Sequence, residues 1–156
     1  MKLKVQPLNE EAFAPFGQVL IPLAQPGRVD DMARLENRRE AADPMLSIIR
    51  VEPKALPLDA TVMERHPHST QTFVPLAVRR YLIVVAPHAG DGGPDMTKAR
   101  AFVAEGRQGI SYNADTWHHG LTVLDGPADF AVFMWNDGGP EDTEFVDLAG
   151  PVTILP

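Results

Sequence analysis

The sequence predicts a mainly β protein, a β-barrel or double-stranded β-sandwich with one short helix near its start. The 15 prolines and 12 glycines supply frequent turns and leave little room for long helices. Short apolar runs rich in β-branched residues lie between those turns, at the spacing typical of all-β domains. A chain of 156 residues with 44% hydrophobic residues is sufficient for one domain with its own core, and we expect residues 1–156 to form it.

The short helix is predicted close to the N-terminus. Asn9 can cap it, because its side-chain oxygen can accept a hydrogen bond from the first turn. Glu10 and Glu11 suit the positive end of the helix dipole. Pro15 limits the length of the helix, and Gly17 closes it.

Strands are predicted where apolar, β-branched residues form short runs. The run Arg80–Ala86 has the composition of a strand that is buried on both faces. The complete set is Met45–Val51, Ala60–His66, Thr72–Leu76, Arg80–Ala86, Arg100–Ala104, Gly109–Tyr112, Gly120–Leu124, Phe130–Trp135 and Glu144–Leu148. His118 and His119 are expected to open the strand that runs into Leu121 and Val123. The charged segment from Gln25 to Asp43 is expected to be a flexible excursion, with a short helix over 34–40 as the alternative.

Composition excludes several classes of function. The formal net charge of −7 disfavours nucleic acid as the main partner, because phosphate neutralisation needs clustered basic residues. The chain has no cysteine, so disulfides and thiolate chemistry are excluded. The first residues contain no apolar signal core, and no segment approaches the roughly 20 apolar residues that span a bilayer. We therefore expect a cytoplasmic protein with no membrane or nucleic-acid partner.

Four of the five histidines fall in two segments that lie far apart in the chain. In the first segment, Glu64, His66 and His68 would share one face of an extended strand and Arg65 would face the other way. A His-x-His pair suits two ligands of one metal ion, and Gln71 could add an oxygen or a donor. The alternative is a strand end that carries surface histidines.

The second segment begins with a large apolar anchor, Trp117, followed by His118 and His119. Adjacent residues of a strand face opposite ways, so only one of these two histidines can point into a barrel. The pattern leaves open which of them does. The other is expected at the surface.

Cations and a tyrosine are candidates for binding a substrate. Arg65 or Arg100 could hold a carboxylate, because a guanidinium matches that group with two hydrogen bonds. Tyr112 could donate a hydrogen bond to a substrate oxygen. The alternatives are solvated charges on edge strands and a packed tyrosine whose hydroxyl meets solvent.

The histidine pattern resembles the two motifs of the cupins, small β-barrels in which a first His-x-His motif is followed by a Glu and a second motif ends in His. Here Gln71 stands near the position of that Glu. The chain also resembles the ureidoglycolate lyase family through pieces spread along most of its length. They are Met1–Val5, Ala12-Phe13, Phe16-Gly17, Leu56–Leu58, Glu64–Pro67, Thr70–Pro75, Pro94-Asp95, Arg100–Phe102, Gln108–Tyr112 and Trp117–His119.

The resemblance implies a homodimeric enzyme of allantoin degradation that cleaves (S)-ureidoglycolate to glyoxylate and urea. It implies catalytic roles for His66, His118, His119 and Gln71, and substrate contacts from Arg65, Arg100, Tyr112 and Phe73. It also implies an optional divalent metal, nickel, for which the two histidine segments offer His66, His68, Gln71 and His118 as ligands. The reaction would be an elimination with His66 and either His118 or His119 as base and acid. The role of Gly27–Asp43 stays open. The alternatives are a metal-dependent cupin oxygenase or isomerase, and a non-catalytic cupin that binds a small acid.

Overall fold

Two β-sheets and very little helix make up the computed structural model, which describes residues 1–156. The helical elements are α1 (Glu10–Phe13) and a single 3₁₀ turn (Met96–Lys98). The strands are β1 (Lys2–Pro7), β2 (Gly17–Leu20), β3 (Asp43–Val51), β4 (Leu58–Arg65), β5 (Gln71–Ala77), β6 (Arg80–Ala86), β7 (Arg100–Glu105), β8 (Gly109–Tyr112), β9 (Trp117–His118), β10 (Thr122–Leu124), β11 (Ala128–Asn136) and β12 (Glu144–Leu155). No helix has the length and apolar character needed to cross a bilayer.

The first sheet closes on itself as a barrel. Its strands pair in the order β6, β7, β1, β12, β4 and β9, and β9 pairs again with β6, while β10 extends the sheet beside β6. The two smaller buried clusters draw their buried residues from β4, β6, β7, β9 and β12, among them Leu82, Ala60 and Trp117. Leu3 and Val5 of β1 are half-buried and pack against them. Closure leaves the ring without an unpaired edge and gives it a packed interior.

The second sheet packs against one wall of the barrel. Its strands lie in the order β2, β8, β5, β11 and β3. The largest buried cluster fills the space between this sheet and the barrel wall, with Phe13, Tyr81, Phe102 and Phe130 fully buried in it. Alternate side chains of β6 belong to the largest cluster and to a cluster inside the barrel, so this strand is buried on both faces, as its sequence predicts.

The predicted mainly β fold with a β-barrel is confirmed. The short helix is present as α1, and the Asn9 side chain accepts a hydrogen bond from the Ala12 N–H at 2.8 Å. The strand predicted over Gly120–Leu124 is present as β10, but the expectation that His118 and His119 open it was wrong, because β9 ends at His118 and β10 begins at Thr122. The sequence also did not predict β1, β2 or the second half of β12.

Candidate active site

Glu64, His66 and His118 meet at the junction of the barrel wall and the second sheet. One ligand atom from each lies within 4.8 Å of the others. Glu64 is registered opposite His118 in the antiparallel pair of β4 and β9, and its Oε1 lies 3.4 Å from His118 Nε2. His66 follows directly after β4, and its ring centroid is 5.4 Å from that of His118. Strand pairing therefore brings together two segments that are distant in the sequence.

Backbone carbonyls orient both imidazole rings. His66 Nδ1 lies 2.9 Å from the carbonyl oxygen of Asp142, and His118 Nδ1 lies 2.8 Å from that of Thr116. A carbonyl only accepts hydrogen bonds, so we infer that each Nδ1 carries a proton and each Nε2 is available to ligate or to take up a proton. Both Nε2 atoms are buried and have no hydrogen-bond partner.

Gln71 and Tyr112 extend the cluster on the second sheet. They are registered opposite each other on β5 and β8. The Tyr112 ring stacks on His118, with 4.1 Å between centroids and 20° between planes. The Gln71 Oε1 atom is buried without a hydrogen-bond partner, while its Nε2 faces Met134 Sδ at 3.8 Å. The site therefore presents a further unsatisfied acceptor.

Burial and neighbouring charges set the protonation states of the site. Burial raises the pKa of Glu64, but the contact with His118 and the charges of the histidines outweigh it and the net pKa lies below its usual range. Burial lowers the pKa of His66, and His118 lowers it further. Burial raises the pKa of Tyr112 well above its usual range. At neutral pH the site thus holds a carboxylate, a neutral His66 imidazole and a protonated phenol.

This donor set fits a divalent metal ion. A carboxylate oxygen and two imidazole Nε2 atoms are the ligand types that zinc and similar ions prefer, and Gln71 Oε1 could add a neutral oxygen. The second bonds of both rings, from Nδ1 to a backbone carbonyl, have the arrangement typical of histidine ligands. A cation among these atoms would also give a partner to the buried acceptors that lack one.

Arg65 and Arg100 make contacts outside the cluster. Arg65 faces the opposite side of β4 from Glu64, and its guanidinium lies 3.0 Å from Asp115 and 2.6 Å from Glu144. The same group lies over the Trp117 ring, 4.6 Å from its centroid. Arg100 is exposed and donates to the Ala12 carbonyl at 2.8 Å. The structure brings neither guanidinium into contact with Glu64, His66 or His118.

The remaining candidates are spread around the cluster. His68 lies in the turn after β4, with Nε2 3.4 Å from Glu141, and is not brought to the cluster. Phe73 packs edge-on against Tyr112 and Phe130 in the core. His119 is half-buried after β9, and its Nδ1 lies 2.8 Å from the Gly120 carbonyl oxygen. Burial lowers the pKa of His119.

Glu64 was missing from the set of predicted ligands. The alternation of the strand, which places Glu64 on the same side as His66, was the signal that could have found it. His68 was chosen instead because a His-x-His pair in an extended segment suits two ligands of one metal ion. The strand ends at Arg65, so alternation no longer applies at His68.

Sequence comparison identifies the family. The profile described as ureidoglycolate lyase matches residues 1–154. The chain belongs to the ureidoglycolate lyase family. A ureidoglycolate lyase of Burkholderia cepacia is 44% identical over 149 residues, which cover 89% of this chain and 81% of that protein. A ureidoglycolate lyase of Brucella melitensis biotype 2 is 42% identical over 139 residues, which cover 83% and 80%.

Similarity to solved structures is much weaker. The oxalate decarboxylase of Lactobacillus farciminis, in a formate complex, is 14% identical with a TM-score of 0.45, and the similarity covers 92% of this chain and 33% of that one. The family is therefore assigned from the sequence relatives, and the predicted membership in the ureidoglycolate lyase family is confirmed.

Proposed function

We propose that the protein cleaves (S)-ureidoglycolate to glyoxylate and urea, as a carbon–nitrogen lyase of allantoin degradation. The observation that carries this proposal is the buried cluster of Glu64, His66 and His118 in a chain that matches the ureidoglycolate lyase family along its length. The relatives at 42–44% identity bear the same name. A small buried site with proton acceptors suits a small hydroxy acid.

We also propose that Glu64, His66 and His118 hold a divalent cation, with Gln71 Oε1 as a further ligand. Nickel is the ion that the family resemblance implies. When bound, the ion would act as a Lewis acid that lowers the pKa of the substrate hydroxyl. His68, one of the ligands expected from the sequence, is replaced by Glu64 in this proposal because its ring lies against Glu141.

His119 is our candidate for moving the proton, because it directly follows His118 and the charges of Glu64 and His118 act on its imidazole. Burial keeps its imidazole neutral at neutral pH, and the Gly120 carbonyl holds Nδ1, so Nε2 can accept the proton of the substrate hydroxyl. An electron pair of the deprotonated oxygen then forms the carbonyl of glyoxylate, and the electron pair of the broken carbon–nitrogen bond leaves with the urea nitrogen. The imidazolium then returns the proton to that nitrogen. No water is consumed.

Tyr112 and Gln71 would orient the substrate. Tyr112 stays protonated because burial raises its pKa, so its hydroxyl can donate to a substrate oxygen. The Gln71 amide lies beside it. To hold the substrate carboxylate, Arg65 would leave Asp115 and Glu144, or Arg100 would leave the Ala12 carbonyl. Without a metal, His66 and either His118 or His119 would be the base and acid, as the sequence predicts.

A coupled glyoxylate assay on (S)-ureidoglycolate, with and without chelator, tests the reaction and the metal together. We expect equal amounts of glyoxylate and urea, loss of turnover with chelator and recovery with Ni²⁺. His66→Ala should reduce turnover about 100-fold or more. Turnover that resists chelation would contradict the metal proposal alone. Binding of glyoxylate without turnover, or oxygen consumption with iron, would contradict the reaction and favour the other two functions.

We infer a homodimer formed through the outer face of the second sheet. Apolar side chains there are unusually exposed, with Leu46 at 71%, Ile48 at 66% and Leu76 at 56%. Leu46 is registered opposite Phe133, and Ile48 opposite Ala131, so these side chains form one continuous face. Contiguous apolar patches of this kind mark interaction surfaces. A single domain and a cytoplasmic location remain predictions.

A further inference from the structure

Residues 36–42 run beside the loop 66–70, which carries His66 and leads into Gln71. The Arg38 N–H donates to the His68 carbonyl at 2.8 Å, and the Thr70 N–H donates to the Glu36 carbonyl at 3.1 Å. Asn37 and Ser69 form an antiparallel bridge between these hydrogen bonds. Part of the segment Gln25–Asp43, which was expected to be flexible, is therefore hydrogen-bonded to a loop of the candidate active site.

The Arg39 side chain links residues 36–42 to a second loop. Its side chain is only 14% exposed. Nη1 donates to Asp137 Oδ2 at 2.8 Å, and Nη2 donates to the carboxylate of Asp142. The guanidinium therefore joins residues 36–42 to the turn at 137–142.

Asp142 contacts Arg39 and His66 through different groups. Its carboxylate accepts from Arg39 and also from the N–H groups of Asp137 at 3.1 Å and Gly138 at 2.8 Å. Burial raises the pKa of the Asp142 carboxyl, but these donors outweigh it and hold the net pKa below its usual range. The backbone carbonyl of the same residue lies 2.9 Å from His66 Nδ1, and the hydroxyl of the next residue, Thr143, lies 3.2 Å from the same nitrogen. Arg39 is the only cationic side chain that pairs with this carboxylate.

We propose that Arg39 is a positioning residue for His66. It fixes the turn at 137–142 through two carboxylates, so that the Asp142 carbonyl accepts from Nδ1 and Nε2 of His66 faces the site. Without Arg39, a buried carboxylate loses its cation and the turn must rearrange to solvate it. The carbonyl then moves away from the imidazole ring.

This role rests on the proposed function of His66 as a ligand, so the test needs a readout besides turnover. We would measure the Kd for Ni²⁺ by competition with a chelator, and the ring ¹⁵N shifts of His66, which report its tautomer. Arg39→Ala should weaken Ni²⁺ binding about 10- to 100-fold, the range for loss of a group that orients a ligand. It should also give a mixture of His66 tautomers, while Arg39→Lys should lie in between.

Two controls separate positioning from general destabilisation. Arg50→Ala removes an exposed guanidinium that bonds both carboxylate oxygens of Asp129, at 2.9 and 2.8 Å, and should change neither readout. The His118 tautomer is an internal control, because its Nδ1 contacts the Thr116 carbonyl.

A folded Arg39→Ala variant with wild-type Ni²⁺ affinity and an unchanged His66 tautomer would overturn the proposal. If that variant does not fold, Arg39→Lys and Asp137→Asn take its place, and wild-type values in both would overturn it equally. If the wild-type protein binds no Ni²⁺, the metal part of the proposed function fails. The His66 tautomer still tests Arg39 in that case.

Discussion

Tyr112→Phe should reduce activity and leave stability nearly unchanged. The ring stacks on His118 at 4.1 Å and packs edge-on against Phe73, and phenylalanine keeps both contacts. No residue of the chain hydrogen-bonds the Tyr112 hydroxyl, so its removal costs the folded state no bond. A hydrogen bond to a charged group contributes about 1.5–3 kcal/mol, which corresponds to a loss of about 10- to 150-fold in kcat/KM.

The other tyrosine of the chain is a matched control. Tyr81 is fully buried, and its hydroxyl donates to the Gln108 carbonyl at 2.7 Å. Tyr81→Phe should lower the free energy of unfolding by about 1 kcal/mol and leave kcat/KM unchanged. The measurements are the coupled glyoxylate assay and urea denaturation of both variants. Wild-type kcat/KM in Tyr112→Phe would refute a role for that hydroxyl in substrate binding.

Two further results are expected. In the presence of a chelator, the free energy of unfolding should fall as the pH drops from about 7.5 to 5.5. The reason is that His66 and His119 have lowered pKa values in the folded protein, so the unfolded chain takes up protons in this range that the folded chain does not. Denaturation across this range measures the fall, His119→Gln should reduce it, and stability that rises instead would contradict the protonation states given above. Leu46→Glu, on the outer face of the second sheet, should halve the mass measured by light scattering. Leu23 is also an exposed leucine but lies outside that face, so Leu23→Glu should leave the mass unchanged. A dimeric Leu46→Glu variant would show that another surface is used.

The strands that could be predicted from the sequence are those whose own residues have a clear β composition. Arg80–Ala86 was found at its observed bounds, since a continuous β-branched run needs burial on both faces. Strand β1 and the end of β12 were missed because their stability comes from their partners. Lys2–Lys4 pair in parallel with Thr153–Leu155, a contact between the two ends of the chain that no local pattern reports.

The site was predicted only in part, because local sequence patterns do not report contacts between distant segments. His66, His118, Gln71 and Tyr112 were all named, and the structure brings them together. Local alternation could not indicate where β4 ends, so His68 was favoured over Glu64. Arg39 and Asp142 could not be found at all, because their pairing links loops about a hundred residues apart in sequence.

Both site imidazoles take their orientation from main-chain oxygens, and the Thr143 hydroxyl, 3.2 Å from His66 Nδ1, is a side-chain contact at the same nitrogen. Every residue type offers such a carbonyl, so no single replacement at Asp142 or Thr116 deletes the acceptor itself. Variation at Thr116 is therefore a poor guide to whether a homologue retains the chemistry, whereas a replacement of Asp142 also removes the carboxylate that Arg39 holds. Loop length is a better one, because an insertion or deletion between Asn136 and Glu144 would displace the oxygen that His66 depends on.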